Sequence, residues 1–124
     1  VGATRNWSRT VLEWNLAADP QFNPHTDQGG WTMCKGALTI GGEVTRNVSY
    51  YIIAHASKFV RPGSVRVGSS VVPALPNVAF VTREGKKVLI VLNDSETAKD
   101  FALKFKGKLA GVSLAAGGVG TFVW

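Results

Sequence analysis

Val78-Ala-Phe-Val-Thr-Arg-Glu-Gly-Lys-Lys-Val-Leu-Ile-Val-Leu92 decides the fold of the second half of the chain. Two short runs rich in β-branched and aromatic residues flank the turn Glu84-Gly85-Lys86, which is how two strands joined by a tight connection read. The period of two continues on both sides. Val65 and Val67 alternate with polar neighbours, Phe101, Leu103 and Phe105 alternate with Ala102, Lys104 and Lys106, and Val112-Ser-Leu114 and Thr121-Phe-Val-Trp124 end the sequence. Short strands with turn signals every eight to twelve residues predict an antiparallel β-sandwich over residues 63–124.

Upstream of Pro62 the pattern changes. Val48, Tyr51, Ile52, His55, Ala56 and Phe59 recur at helical spacing, so a helix with one buried stripe is expected over about 48–60, with Asn47 as its N-cap and Arg61-Pro62-Gly63 as its stop. Residues 37–45 read as a small hairpin around Gly41-Gly42. Residues 19–35 contain Pro20, Pro24, Gly29 and Gly30 and read as a long loop, a class that is usually functional or mobile. Before it, Arg9-Thr-Val-Leu-Glu-Trp-Asn-Leu-Ala17 is apolar enough on both faces for a buried strand of the parallel kind. Nothing later in the sequence supplies an obvious parallel partner through a crossover helix. Residues 1–62 thus read as strand, loop and helix of an α/β layer, and residues 63–124 as a separate sandwich.

Composition bounds what such a chain does. Its 124 residues and 13.2 kDa allow one domain, or one with an appendage. With 45% hydrophobic and 18% charged residues and a mean hydropathy of +0.09, it is not built for disorder. No apolar run approaches the roughly 18 residues that span a membrane. The lone Cys34 forms no intrachain disulfide and no thiolate cluster and no His-x-x-x-His is present, so metal binding is unsupported and no cofactor is expected, while Ser8, Ser49 and Ser57 have no nucleophile-elbow context for acyl transfer. Fourteen Lys and Arg against eight Asp and Glu leave a net charge of +6. Lys99, Lys104, Lys106 and Lys108 cluster on one strand with Phe101 and Phe105 on the alternate positions, which reads as a solvated outer face and argues against a nucleic-acid partner, where aromatics share the cationic face.

Four groups bear on chemistry. Glu13, Asp19, Asp27 and Glu43 are carboxylates in or near the strand and loop. A glycosidase needs two such groups facing each other about 5–9 Å apart, and spacing along the chain does not establish that. The plainer reading makes Asp19 a turn cap, Asp27 solvated and Glu13 a hydrogen-bonded buried acid. His25 lies on the loop in reach of a pocket, whereas His55 falls on the apolar helix stripe as a satisfied core histidine. Trp7, Trp14 and Trp31 crowd the first third. Aromatic faces stack on sugars while Asn and Asp bond hydroxyls, so the mixture suits a carbohydrate pocket or, equally, a packed strand–loop interface.

Two stretches carry a resemblance. Arg5-Asn-Trp-Ser-Arg-Thr-Val-Leu-Glu-Trp-Asn-Leu-Ala17 and Tyr50-Tyr-Ile-Ile-Ala-His-Ala-Ser-Lys-Phe-Val-Arg-Pro-Gly-Ser-Val-Arg-Val67 resemble family 30 glycoside hydrolases, the family of glucosylceramidases and β-1,6-glucanases. That family has a (β/α)8 barrel with an attached β-sandwich. The resemblance implies that the chain is its C-terminal portion: the last barrel strand, a long loop, the last barrel helix and most of the sandwich. It implies a retaining β-glycosidase acting on a glucosylceramide-like substrate or a β-1,6-glucan, with a secreted or periplasmic setting favoured. The family's nucleophile and acid/base glutamates lie on the fourth and seventh barrel strands, so no catalytic residue is assigned here and Glu13 matches neither. Trp14 is implied on the wall of the sugar pocket, Asn15 beside it, and the loop bearing His25, Thr26 and Asp27 on its border. Relatives often carry Cys-x-x-Cys where this chain has Trp31-Thr-Met-Cys34, so the loop lacks that staple. The partners implied are a β-glucoside or glucan, and either the remainder of a barrel or a second copy across an exposed strand edge. The other reading is a non-catalytic sandwich module that binds carbohydrate or a protein.

Overall fold

A computed structural model describes all 124 residues. The turn at Glu84-Gly85-Lys86 joins β5 (Asn77–Val81) to β6 (Lys87–Leu92), flanked by β4 (Val65–Val67) and β9 (Val119–Val123) in an antiparallel sheet of order β4-β5-β6-β9. Val78 lies opposite Ile90 and Phe80 opposite Val88, so two cross-strand pairs on one face make the buried cluster. Closing four such side chains from water stabilises the fold by about 8 kcal/mol. Val1, Phe59, Val60 and Val119 pack on this cluster.

The opposite face of the sheet carries a hairpin, β7 (Lys99–Phe105) and β8 (Lys108–Leu114). Phe101 meets Phe122 edge to face at 6.2 Å, and a Cβ on Gly120 would touch Leu114 and Phe122. Lys106 and Gly107, both at positive φ (48° and 78°), form the two-residue turn whose twist suits a hairpin. The hairpin tip differs from expectation. Phe105 is not turned away from the cations: its ring lies 5.6 Å from that of Trp124, with the ammonium groups of Lys87 and Lys106 at 5.9 and 5.8 Å. At the tip this inward position reaches the half-exposed Trp124 and solvent, not the sheet's core.

The first seven residues pack on the sandwich. After α1 (Gly2–Arg5), the Arg5 guanidinium donates to Ser69 Oγ (2.9 Å), Ser69 O (3.1 Å), Asn77 O (2.6 Å) and Asn77 Oδ1 (3.2 Å). Arg66 stacks on the Trp7 ring at 3.7 Å. These contacts cross the division at residue 62 expected from the sequence.

Residues 9–17 are the main correction. No buried strand forms there: Val11, Leu12, Trp14 and Leu16 are exposed, Leu12 at 93%. A buried parallel strand needs ladder partners on both sides, and this chain provides one on a single side, at the end of the segment alone. Asn15 O and Leu16 O accept from Ala37 N and Leu38 N, both at 3.0 Å, and the pairing continues as the parallel two-residue β1 (Ala17–Ala18) against β2 (Leu38–Gly41). A parallel partner therefore exists, reached through the 19–37 loop instead of a helix. Gly36 allows this approach, since a Cβ there would lie 2.7 Å from Ala17 Cα. The expected hairpin is present, with β3 (Glu43–Arg46) paired to β2 across Gly42.

The helix, α2 (Val48–Phe59), forms as expected, but its stripe is only partly covered. Phe59 reaches the core and His55 Nδ1 lies 2.8 Å from Thr121 Oγ1, whereas Val48, Tyr51 and Ile52 are exposed. The sheet extends under the C-terminal half of the helix alone. Asn47 occupies the N-cap position without a side-chain cap, because its amide donates instead to Gly36 O (2.7 Å) and Thr39 Oγ1 (3.0 Å).

Val88→Ala is expected to lower unfolding free energy by about 2 kcal/mol in urea titrations, against less than about 0.5 kcal/mol for the exposed Val65→Ala. Equal effects at the two positions would contradict the core assignment.

Candidate functional site

Asp19 organises the loop that follows β1. Its Oδ1 accepts from Gln21 N (2.9 Å) and Asn23 N (2.8 Å), its Oδ2 accepts from Asn23 Nδ2 (3.0 Å), and Asp19 N donates to Asn23 O (2.9 Å). The Asn23 side-chain and backbone donors, with Gln21 N, hold this carboxyl below its ordinary value of 3.8. Asp19 is thus a turn cap, the plainer of its two readings. The turn directs Phe22 O to His25 Nδ1 (3.2 Å), and His25 Nε2 lies 3.6 Å from Asp27 Oδ1.

This arrangement leaves a hollow of about 350 Å³ lined by Trp14, Phe22, Pro24, His25, Thr26 and Trp31, closed by Gly29, Gly30 and Cys34. Trp14 is 79% exposed and Trp31 74%, so both offer open ring faces. Of the four site residues expected from sequence, Trp14 and His25 line the hollow. Asp27 stands behind His25 and touches it from outside. Asn15 does not line it: its carbonyl holds Ala37, and its Oδ1 is buried without a partner beside Gly36. Asn15 is a strut between segments. Trp31 joins Trp14 at the site. Its place in the crowded aromatic third was the signal, but its distance from Trp14 along the chain hid the pairing.

The remaining candidates fall outside the hollow. No carboxylate lines it, and Glu13 is exposed, not a buried acid. Cys34 is free, and its thiol donates weakly to Trp31 O at 3.7 Å, closing the turn where a disulfide staple was missing. A second hollow of about 250 Å³, with Asp19, Lys35, Thr39, Thr45 and Asn47, lies on the other side of the loop. Lys35 and Thr39 there carried no sequence signal.

Two ring faces with a histidine and a hydroxyl between them can hold a sugar ring by stacking and hydrogen bonding. They hold no acid/base pair. Comparison with known proteins gives this site its setting. Residues 63–122 match the glycosyl hydrolase family 30 beta sandwich domain. The chain carries the family 30 β-sandwich. The family 30 likeness extends upstream of that domain. The endo-β1,6-glucanase BT3312 superposes over 99% of this chain with a TM-score of 0.87 and 29% identity, the match taking in 28% of that chain. Endo-1,6-beta-D-glucanase neg1 of Aspergillus fumigatus is 31% identical over 100 residues, 75% of this chain and 20% of its own length. A Caenorhabditis elegans protein named as a glucosylceramidase is 27% identical over 94 residues, 73% of this chain and 18% of its own. The chain therefore spans about a fifth of the length of the curated relatives it matches.

The depressed Asp19 carboxyl has a measurable consequence. A group whose folded value is lowered stabilises the folded loop above its unfolded value, and that contribution is lost as pH falls through the folded one. The loop at 19–25 is expected to loosen below about pH 4, read as a fall in the protection factors of the Gln21 and Asn23 amides relative to their intrinsic exchange at each pH. Asp19→Ala should give the same loss of protection at neutral pH. Unchanged protection in both cases would contradict the role given to Asp19.

Proposed function

We propose that this chain supplies the β-sandwich and one aromatic wall of the sugar pocket to a β-glycosidase of the glucanase or glucosylceramidase type, which hydrolyses β-glucosidic bonds with carboxylates contributed from outside these 124 residues. The observation that carries the reading is the hollow at Trp14 and Trp31, open, aromatic and free of carboxylates. Trp14 would stack on the ring next to the scissile bond, and His25, oriented by Phe22 O and Asp27, would meet its hydroxyls. Hydrolysis with retention needs two carboxyl groups about 5–5.5 Å apart, and no such pair borders this pocket.

The surface supports the same reading. The chain exposes 8972 Å², against about 6,400 Å² for a folded monomer of this mass. Leu12, Leu16, Val44, Val48, Tyr51 and Ile52 contribute to the excess, on the layer that would face the rest of a barrel. In the isolated chain that face, with the exposed residues 11–14, would pair with a second copy.

The chain alone is expected to release no p-nitrophenol from p-nitrophenyl β-glucoside, and turnover lost on Glu13→Gln would overturn the proposal. Calorimetric titration with β-1,6-gluco-oligosaccharides separates the alternatives. Binding weakened at least about tenfold by Trp14→Ala, about 1.4 kcal/mol, supports the pocket. Binding untouched by that change identifies a sandwich-borne carbohydrate module instead.

A further inference from the structure

The basic excess of the chain is not spread evenly over the sandwich. The end formed by the β5–β6 turn and the β7–β8 tip carries Arg83, Lys86, Lys87, Lys104, Lys106 and Lys108 against the single acid Glu84. The opposite end, between β6 and β7, carries Asp94, Glu96 and Asp100 with Lys99. Apolar groups stand at the cationic end as well. Trp124 is 44% exposed, Phe105 38% and Leu109 69%, and Lys87 and Lys106 hold their ammonium groups over the Phe105 ring. Lys87 is tied to Trp124 by two backbone hydrogen bonds, Lys87 N to Trp124 O (2.9 Å) and Trp124 N to Lys87 O (3.1 Å), so aromatic and cationic groups are held together on paired backbone.

We propose that this tip is a docking surface for an anionic lipid bilayer. The occupant follows from shape and chemistry. The β7–β8 turn, the β5–β6 turn and the last residues of β9 come together at this end of the sheets, and both described hollows lie elsewhere, between residues 14 and 47. An exposed end away from the described hollows suits a flat partner. Trp and Phe rings with a neighbouring Leu partition to the boundary between headgroups and acyl chains, where lysine stems lie along the apolar region and their ammonium groups meet lipid phosphates and carboxylates. A purely electrostatic polyanion would make use of the lysines but would leave Trp124 and Leu109 in water. The acidic far end orients the molecule, since an anionic surface repels Asp94, Glu96 and Asp100. No helix is long and apolar enough to cross a membrane, so the contact is peripheral. The inference is independent of the glycosidase reading, since it uses neither Trp14 nor the loop.

The test is flotation of the full chain with phosphatidylcholine vesicles and with vesicles that also contain phosphatidylserine. Binding is expected to the second kind only, to fall with added salt, and to drop more than about tenfold in a Lys104→Glu, Lys106→Glu, Lys108→Glu variant. Lys99→Glu, at the far end, should bind as the unaltered chain does, which shows that position matters and not total charge. Trp124→Ala should weaken vesicle binding while leaving binding to heparin or single-stranded DNA unchanged. Circular dichroism confirms that each variant is folded, and all of these side chains are on the surface. Equal binding to both vesicle types would assign the contact to the exposed apolar residues 11–16 and overturn the proposal. So would full binding by the triple variant, or tighter binding to DNA than to anionic vesicles.

Discussion

Val78, Phe80, Val88 and Ile90 form the one cluster in this chain where apolar side chains are closed off from water on all sides, and the other parts depend on it. Their two cross-strand pairs fix the register of β5 and β6, and that register places Val91 and Leu89 on the face that receives the β7–β8 hairpin. The same cluster receives Val1 and Phe59, so both helices are attached to the sandwich through it. The Arg5 guanidinium, with four hydrogen bonds to Ser69 and Asn77, locks the first helix to the start of β5. Only 11 of 124 residues are buried, which leaves residues 9–46 dependent on a few backbone bonds and the Asp19 turn.

That division has a functional sense. The sandwich holds the buried cluster, covered in part by Val1, Phe59 and Val60 from the first half of the chain, while the layer bearing Trp14 and Trp31 is an exposed surface. Its ring faces can bind a sugar, but bond cleavage needs charged groups positioned across from them. The match to the family 30 β-sandwich falls on the part that holds the buried cluster, and on the reading proposed above the layer bearing Trp14 and Trp31 would be one wall of a larger cavity.

How much of this was legible in the sequence depended on where the interaction partners lie. The β5–β6 hairpin, the helix at 48–59 and the turn at Gly41-Gly42 were all readable because their partners are a few residues away. His55 read correctly as a satisfied residue, now paired with Thr121. Residues 9–17 misled because their apolar character describes burial that this chain does not provide. Asn15 belonged by type to the sugar-binding group, yet the close approach at Gly36 makes it a strut. Phe105 followed the alternation of its strand, but at a hairpin tip an inward position meets another exposed ring, Trp124, and two lysines. Trp31 and Trp14 share a hollow only because Asp19 folds the intervening loop, a tertiary effect that spacing along the chain does not carry.

Stability resides in the sandwich, and the layer bearing Trp14 and Trp31 is held loosely upon it. Native-state hydrogen exchange across the whole chain tests this directly. Amides of β5, β6 and β9 are expected to exchange slowest and only through global unfolding, with those of residues 9–35 exchanging orders of magnitude faster by local opening. Uniform protection from residue 9 to residue 124, or slowest exchange within residues 9–35, would contradict it.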